Sequence, residues 1–455
     1  MIFRAPNLLR FGTDGVRGVA ITELTPAYVE ALGVAAAQVL GAGTWLIGRD
    51  TRVSGPELEA ALVRGLRRAG AHVELCGEVP TPALASCSAA RHAPAAMITA
   101  SHNPYSDNGV KIFAAGGLKL NDDLESQIEA VLERTLEHMG ESTGITVATS
   151  LLRGDVAVLD GAVRTYVDHL VGLFPERALA GMRVVLDCAN GAMSVAAPRA
   201  LRGLGAEVTV IHAEPNGTNI NDHCGATHPA SLSEAVVAVG ADAGLAFDGD
   251  GDRVISVDQR GSVIDGDRMI ALGALQLLSE GLLTGDTVVV TVMSNLGFHR
   301  AMAAAGIEVI ATAVGDRYVL EALDDGNYAL GGEQSGHVIY RHLATTGDGL
   351  LAGLRLLQHV QRSGQSLADL AAAVMTTYPQ VLVNVRVDHR HPNIADELAA
   401  EVRVAEAELG GDGRVLLRAS GTEPLVRVMV EAATNDVAQR LADQLADIVR
   451  DRFGA

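Results

Sequence analysis

One pattern occurs three times in this chain and limits its fold more than any other feature. "GTWLIGRDTRVSG" leads through a helical stretch to "RRAGAHVELCGE", "GMRVVLDCANGAMS" leads to "RGLGAEVTVIHAE", and "GDTVVVTVMSNLGFH" leads to "AAAGIEVIATAVG". Each copy is an apolar strand, a small polar loop, an Ala/Leu-rich helix, a glycine stop and a second apolar strand. That is a βαβ unit, whose strands should run parallel and whose crossover should be right-handed. Three copies imply three related mixed-sheet α/β domains, with ligands expected at the carboxyl ends of the strands. The tail differs. "VLVNVRV", "NIADELAAEVRVAEAEL", "RVLLRAS", "LVRVMVEA" and "DVAQRLADQLADIVRDRF" alternate strand and helix, which predicts a smaller C-terminal α+β domain. At 455 residues the chain is too long for one core, and the expected domains are 1–155, 156–256, 257–371 and 372–455.

The net charge of −20 disfavours nucleic acid and anionic membrane as partners, so an anionic ligand must be held by a local basic focus. Of the 35 basic residues only Lys111 and Lys119 are lysines, so each ammonium is a candidate for a special role as well as for a solvated surface amine. Cys76, Cys87, Cys188 and Cys224 show no CxxC spacing, which favours reduced thiols in a cytoplasmic protein. Arg4 and Arg10 interrupt the N-terminal stretch, leaving no signal-peptide core. The longest uncharged run, Ala31 to Gly48, reads as a helix ending near Leu40, a Gly-Ala-Gly turn and a short strand, not as a membrane span.

The strongest chemical signal is "FDGDGDR", in which Asp248, Asp250 and Asp252 alternate with glycines. Three carboxylates can then turn to one point, and hard oxygen ligands suit Mg²⁺ or Ca²⁺. An EF-hand begins the same way, but its sixth position is here Arg253 and its twelfth is Gln259, so that reading fails. Mg²⁺ usually completes its shell partly with phosphate oxygen, which a phosphorylated Ser101 in "TASHNP" could supply. His102 and Asn103 offer donors beside it, and Lys111 is a candidate acid/base or charge partner. Taken alone, the stretch favours Ser101 as a cap or turn serine. In "LRASGTEPLVRVMVE", Arg418, Ser420, Gly421, Thr422 and Arg427 can form a phosphate cradle without a Walker lysine. In "GGEQSGH", Glu333 and Ser335 sit two apart and can grip sugar hydroxyls, while His337 can carry protons near neutral pH. Arg17, Arg49 and Arg52 could steer an anion or form structural ion pairs. His223, Cys224 and His228 invite a zinc reading, but His-Cys-x3-His lacks a fourth ligand and finger spacing. No GxGxxG follows a strand, which disfavours a nicotinamide enzyme.

These four pieces, in this order, resemble the α-D-phosphohexomutase superfamily: "TASHNP" its phosphoserine loop, "DGDGDR" its metal loop, "GEQSGH" its sugar loop and "RASGTEP" its phosphate loop. "FGTDGVRG", the glutamine of "GEQSGH", "VGDRYV" and "TTGDG" are similar to the phosphoglucosamine mutase branch. The resemblance implies four domains around a central cleft and interconversion of glucosamine 6-phosphate and glucosamine 1-phosphate. The route would pass through phosphoserine at Ser101 and a glucosamine 1,6-bisphosphate, which also serves as activator. It implies Mg²⁺ held by Ser101, Asp248, Asp250 and Asp252, and acid/base or charge roles for Lys111, His337 and Arg17. Glu333, Ser335, Arg253 and His102 would contact the sugar phosphate, and Arg418, Ser420, Gly421, Thr422 and Arg427 the distal phosphate. A homodimer is the expected assembly, and the product would feed UDP-N-acetylglucosamine and cell-wall synthesis. A phosphomannomutase/phosphoglucomutase of the same superfamily and a Mg²⁺-dependent sugar phosphatase remain alternatives, as does a non-catalytic phosphosugar sensor.

Overall fold

A computed structural model describes residues 9–141, 153–420 and 424–454. The chain divides into two compact units, Met1–Val292 with Glu308–Ala371, and Met293–Ile307 with Ala372–Ala455.

The first unit contains three mixed sheets. In each, the two strands of a βαβ repeat pair in parallel: Thr44–Arg49 with His72–Glu78, Arg183–Asp187 with Glu207–Ile211, and Thr287–Thr291 with Glu308–Thr312. A third strand then adds parallel to the first: Ala95–Ile98, Ala243–Phe247 and Leu330–Gly332 respectively. Each of these is followed by a loop and an antiparallel return strand, namely Asp107–Ala114, Val254–Asp258 and Val338–Tyr340. The repeat is therefore larger than the βαβ unit visible in the sequence. The added hairpin strands escaped notice because a short buried strand carries no alternation.

The helices Pro26–Leu40 and Gly55–Arg68 pack closely beside the first sheet. A Cβ at Gly65 would lie 2.0 Å from the carbonyl oxygen of Glu30, so only glycine permits this approach. Leu32, Leu58, Leu62 and Trp45 are fully buried there, each aliphatic side chain contributing about 2 kcal/mol. Residues 31–48 form the end of one helix and the start of Thr44–Arg49, as expected, and no described helix is long and apolar enough to cross a membrane.

In the second unit, Gln380–Arg386, Leu425–Glu431 and Arg414–Ala419 form an antiparallel sheet with Leu425–Glu431 in the centre. The helix Asn435–Phe453 covers it with Ala438, Leu441, Ala442, Leu445, Ala446 and Val449, which recur at helical spacing. Thr434 caps this helix by accepting from Val437 N, and Arg450 and Arg452 complement the dipole at its other end. One expected helix is broken: Ile394–Glu397 and Ala399–Leu409 are separated at Leu398, whose φ of −114° and ψ of 20° leave the helical region. The helix Leu296–Ala304, which lies in sequence between the strands of the third βαβ repeat, belongs to this unit. Its start is fixed by Glu431, which accepts from Leu296 N at 2.9 Å.

Candidate active site

The loops in which the sequence reading expects the chemistry of the first unit follow the hairpin strands, not the first strands of the βαβ repeats. Ser101 follows Ala95–Ile98, Asp248 follows Ala243–Phe247, and Glu333 follows Leu330–Gly332. All three loops leave the carboxyl end of a parallel strand, where backbone dipoles and the absence of a continuing ladder leave room for ligands.

Ser101 has a left-handed backbone, with φ of 52°. Such a conformation costs a β-carbon-bearing residue about 1 kcal/mol or more and persists only where surroundings impose it. Arg52 imposes it here. Its buried guanidinium pairs with Asp50 at 2.9 Å and donates to the carbonyl oxygens of Ser101, Asn103, Pro104 and Asp107. Thr99 Oγ1 accepts from Ser101 N and donates to Asp50, while Asn221 Nδ2 donates to the carbonyls of Ser101 and Asn103. Of the two readings of Arg52, the structural ion pair is therefore realised. Arg49 is likewise paired, with Glu59 and Glu78.

The serine hydroxyl donates to Asp248 Oδ2 at 2.5 Å, 147 residues away in sequence. Asp248 Oδ1 in turn accepts from the backbone N–H groups of Gly251 and Arg253, which folds "DGDGDR" into a tight turn. Gly249 is required by proximity, since a Cβ there would lie 2.7 Å from the Ser101 carbonyl oxygen. Asp248, Asp250 and Asp252 each present a carboxylate oxygen within 4.8 Å of the others. Burial raises Asp248 well above the usual carboxylate range, and the charges of Asp250 and Asp252 raise it further.

Lys111 lies 2.8 Å from Asp250, 2.7 Å from Asp252 and 2.8 Å from Asp14. Burial alone would lower its pKa, but these three carboxylates outweigh it and hold the ammonium well above its ordinary range. Burial pushes Asp252 up, yet Lys111 and His337 outweigh that and leave it well below the ordinary value. Lys119 pairs with Asp14 at 2.7 Å and with Asp316. Both lysines of the chain thus meet in one network, and neither is a solvated surface amine. Arg17 joins through Asp14 at 2.5 Å. His337 Nδ1 is 3.7 Å from Asp252 and its Nε2 is 3.6 Å from Asp316. Burial lowers the pKa of this imidazole, but the two carboxylates more than offset that and raise it. His102 lies 3.4 Å from Ser101 Oγ, and burial together with Arg253 and Arg17 lowers it to about 4. Ser335 donates to Glu333 at 3.2 Å, so the two do face one side of their loop.

Asp14, Lys119, Asp316 and Thr81, which donates to Asp250 at 2.7 Å, are network members that motif reading did not select. The scarcity of lysine was a signal for Lys119. Asp14 and Asp316 lie within "FGTDGVRG" and "VGDRYV", whereas nothing in the sequence distinguishes Thr81.

In the second unit, Arg418 and Arg427 are directly opposed across the antiparallel pair Arg414–Ala419 and Leu425–Glu431. Just beyond Arg418, Ser420 N donates to Leu425 O at 2.7 Å. Gly421 and Thr422 lie outside the described residues. His223 and His228 do not join Cys224: both are exposed and meet edge-to-face with ring centroids 5.7 Å apart, while Cys224 is buried.

Four domain families match the chain in order. They are phosphoglucomutase/phosphomannomutase alpha/beta/alpha domain I at residues 8–139, domain II at 164–261, domain III at 265–378, and the C-terminal domain at 382–448. Phosphoglucosamine mutase of Parafrankia sp. (strain EAN1pec) is 52% identical over 97% of this chain and 98% of its own length. That of Rhodococcus jostii (strain RHA1) is 52% identical over 96% and 98%. The crystal structure of a phosphoglucomutase/phosphomannomutase family protein from Burkholderia thailandensis superposes with a TM-score of 0.78 at 26% identity, covering 96% of this chain and 97% of that one. With every domain matched in order and half of all positions shared over the full length, the chain belongs to the phosphoglucosamine mutases of the phosphohexomutase superfamily.

Proposed function

We propose that this protein interconverts glucosamine 6-phosphate and glucosamine 1-phosphate through a phosphorylated Ser101 and a 1,6-bisphosphate. The observation that carries this reading is the placement of Ser101 Oγ at 2.5 Å from Asp248, within the three-aspartate group. That group fits Mg²⁺, because the Oδ1 atoms of Asp250 and Asp252 are buried without hydrogen-bond partners. When bound, the ion supplies charge withdrawal from the phosphoryl group.

The sugar 1-hydroxyl attacks phosphorus and gives up its proton while the bond from phosphorus to Ser101 Oγ breaks, and the freed serine oxygen is protonated. The bisphosphate reorients without leaving. Ser101 Oγ then attacks the 6-phosphoryl group, loses its proton, and the sugar 6-oxygen departs and regains one. Lys111, held as an ammonium, serves as charge partner to the phosphoryl oxygens, with Arg17 behind Asp14. His337, between two carboxylates, carries the proton. Glu333 and Ser335 contact the sugar, with Arg253 and His102 beside the reacting phosphate. Arg418, Ser420, Gly421, Thr422 and Arg427 take the phosphate that is not reacting. The division near residues 155, 256 and 371 gives each of these loops its own domain. The reading places the enzyme in the cytoplasm as a homodimer, a setting in keeping with four free cysteines.

Two measurements test it. Intact-mass analysis of active protein should find a stoichiometric phosphate that Ser101→Ala lacks. Assays with glucosamine, glucose and mannose 6-phosphates should give the fastest turnover with glucosamine. Equal turnover of mannose 6-phosphate would sink the substrate assignment, and release of inorganic phosphate in place of the 1-phosphate would indicate a phosphatase.

A further inference from the structure

Cys224 was a poor zinc ligand in the company of His223 and His228. Folding gives it different neighbours. Asp187 ends the strand Arg183–Asp187, and His212 directly follows the parallel strand Glu207–Ile211, so the register sets them side by side. Cys224 comes in from the loop after Asn221. One ligand atom from each of Asp187, His212 and Cys224 lies within 4.8 Å of the other two. This cluster is distinct from the three aspartates, and the proposed reaction does not use it.

Two details separate it from an ordinary ion pair. His212 Nδ1 is only 3.0 Å from Asp187 Oδ2, yet it is buried and has no hydrogen-bond partner. An imidazole N–H paired with a carboxylate would point at the oxygen. Here the two atoms are close without being aligned, as two ligands of a common cation are. Asp187 is also held rigidly, with Oδ1 accepting from Ala189 N and Oδ2 from Gly225 N, each at 2.9 Å, which leaves Oδ2 a further lone pair. Cys224 is fully buried, whereas the His212 side chain is 33% exposed and provides the way in.

We propose that Asp187, His212 and Cys224 bind one thiophilic divalent cation of the zinc class, with solvent as the fourth ligand. A mixed carboxylate, imidazole and thiolate set selects zinc over magnesium, which avoids sulfur. Binding replaces the thiol proton, which leaves to solvent past His212. The cation would tie the ends of two strands to the loop that carries Asn221. That side chain holds the carbonyls of Ser101 and Asn103, so the site positions the serine loop without touching substrate. The backbone here has an unusual need for such a tie. Ala189, Asn190, His212, Asn221 and His223 all have positive φ, and each is costly without local support.

Cobalt provides the test, because a thiolate–cobalt charge-transfer band reports sulfur ligation and oxygen ligands such as the three aspartates give none. Titration of the full-length chain with Co²⁺ should produce this band to one equivalent, and Zn²⁺ should displace it. Cys224→Ser should abolish the band, whereas Cys188→Ser, a change at the buried cysteine next to Asp187, should retain it. His212→Gln, at a partly exposed position where folding is little at risk, should weaken Zn²⁺ binding by more than roughly a hundredfold, the upper end of the effect of an outer-shell change. Absence of the band in natively folded wild-type protein would overturn the proposal, as would its persistence in Cys224→Ser.

Discussion

Glu431 in the second unit and Asp252 in the first are both buried carboxylates beside a cation, but their oxygens are treated differently. Glu431 Oε1 accepts from Asn295 and Gln380, and Oε2 from Leu296 N and from Arg414 at 2.6 Å. Both oxygens are satisfied, and the result is a fixed joint that holds the start of the helix Leu296–Ala304. Asp252 gives Oδ2 to Lys111 at 2.7 Å and leaves Oδ1 without a hydrogen bond, as Asp250 does with its own Oδ1. A buried polar atom without a partner costs about 1–3 kcal/mol, so it persists where a ligand repays it. Between these two carboxylates the contrast is that Glu431 is closed on its own donors, whereas Asp252 keeps an oxygen open beside Asp250.

The sharpest way to break this contrast is at Ser101. Ser101→Ala should lower mutase turnover by at least about a thousandfold, measured by 1-phosphate formation, because the phosphoryl carrier is gone. The aspartate and lysine network should survive the change. Lys111→Met comes next. It leaves Asp14, Asp250 and Asp252 without their shared cation, and should destabilise metal-free protein by about 3 kcal/mol or more. Added Mg²⁺ should recover part of that loss, so the variant's melting temperature should respond to Mg²⁺ more than the wild type's does. An equal response would mean that the open oxygens are not a cation site. Glu431→Gln should cost about 2–3 kcal/mol in thermal or urea unfolding, with kcat of the folded fraction retained. A large loss of kcat at unchanged stability would reverse the roles assigned to the two networks.

A last effect, spread over a pH range instead of tied to one substitution, concerns Asp348, which caps the helix Gly349–Ser363 and accepts from Tyr166 OH at 2.8 Å. Burial pushes its carboxyl up to about 6 from an ordinary 3.8. Between those values the native state keeps a proton that the unfolded chain has released. Stability should therefore fall as pH rises from about 4 to about 6, by up to roughly 3 kcal/mol from this group. Asp348→Asn keeps an acceptor for the cap and should flatten that part of the stability–pH curve. An unchanged slope would show that Asp348 is ionised throughout.

Much of the site was legible because its pieces are short and chemically marked. The alternating aspartates at 248, 250 and 252 need no fold to suggest a cation. The roles of Lys111 and Lys119 were not legible in the same way. Their carboxylate partners lie 139 residues away for Lys111 with Asp250 and 197 for Lys119 with Asp316, and no local pattern encodes such pairings. Arg52 shows the reverse case. Its spacing from Asp50 permitted substrate steering, and only the carbonyls gathered around its guanidinium made it the support of the serine loop.

The sequence by itself determined the local elements, since hydrophobic period, glycine stops and capping residues act over a few residues at a time. Three βαβ repeats and a distinct α+β tail follow from those signals alone. Tertiary structure decided which loop ends meet. It placed the Ser101, Asp248 and Glu333 loops after the hairpin strands, joined both lysines through Asp14, and exchanged the apparent partners of Cys224 for Asp187 and His212. Coulomb attraction, desolvation and ligand geometry depend on distance through space, and that distance exists only once the sheets have formed.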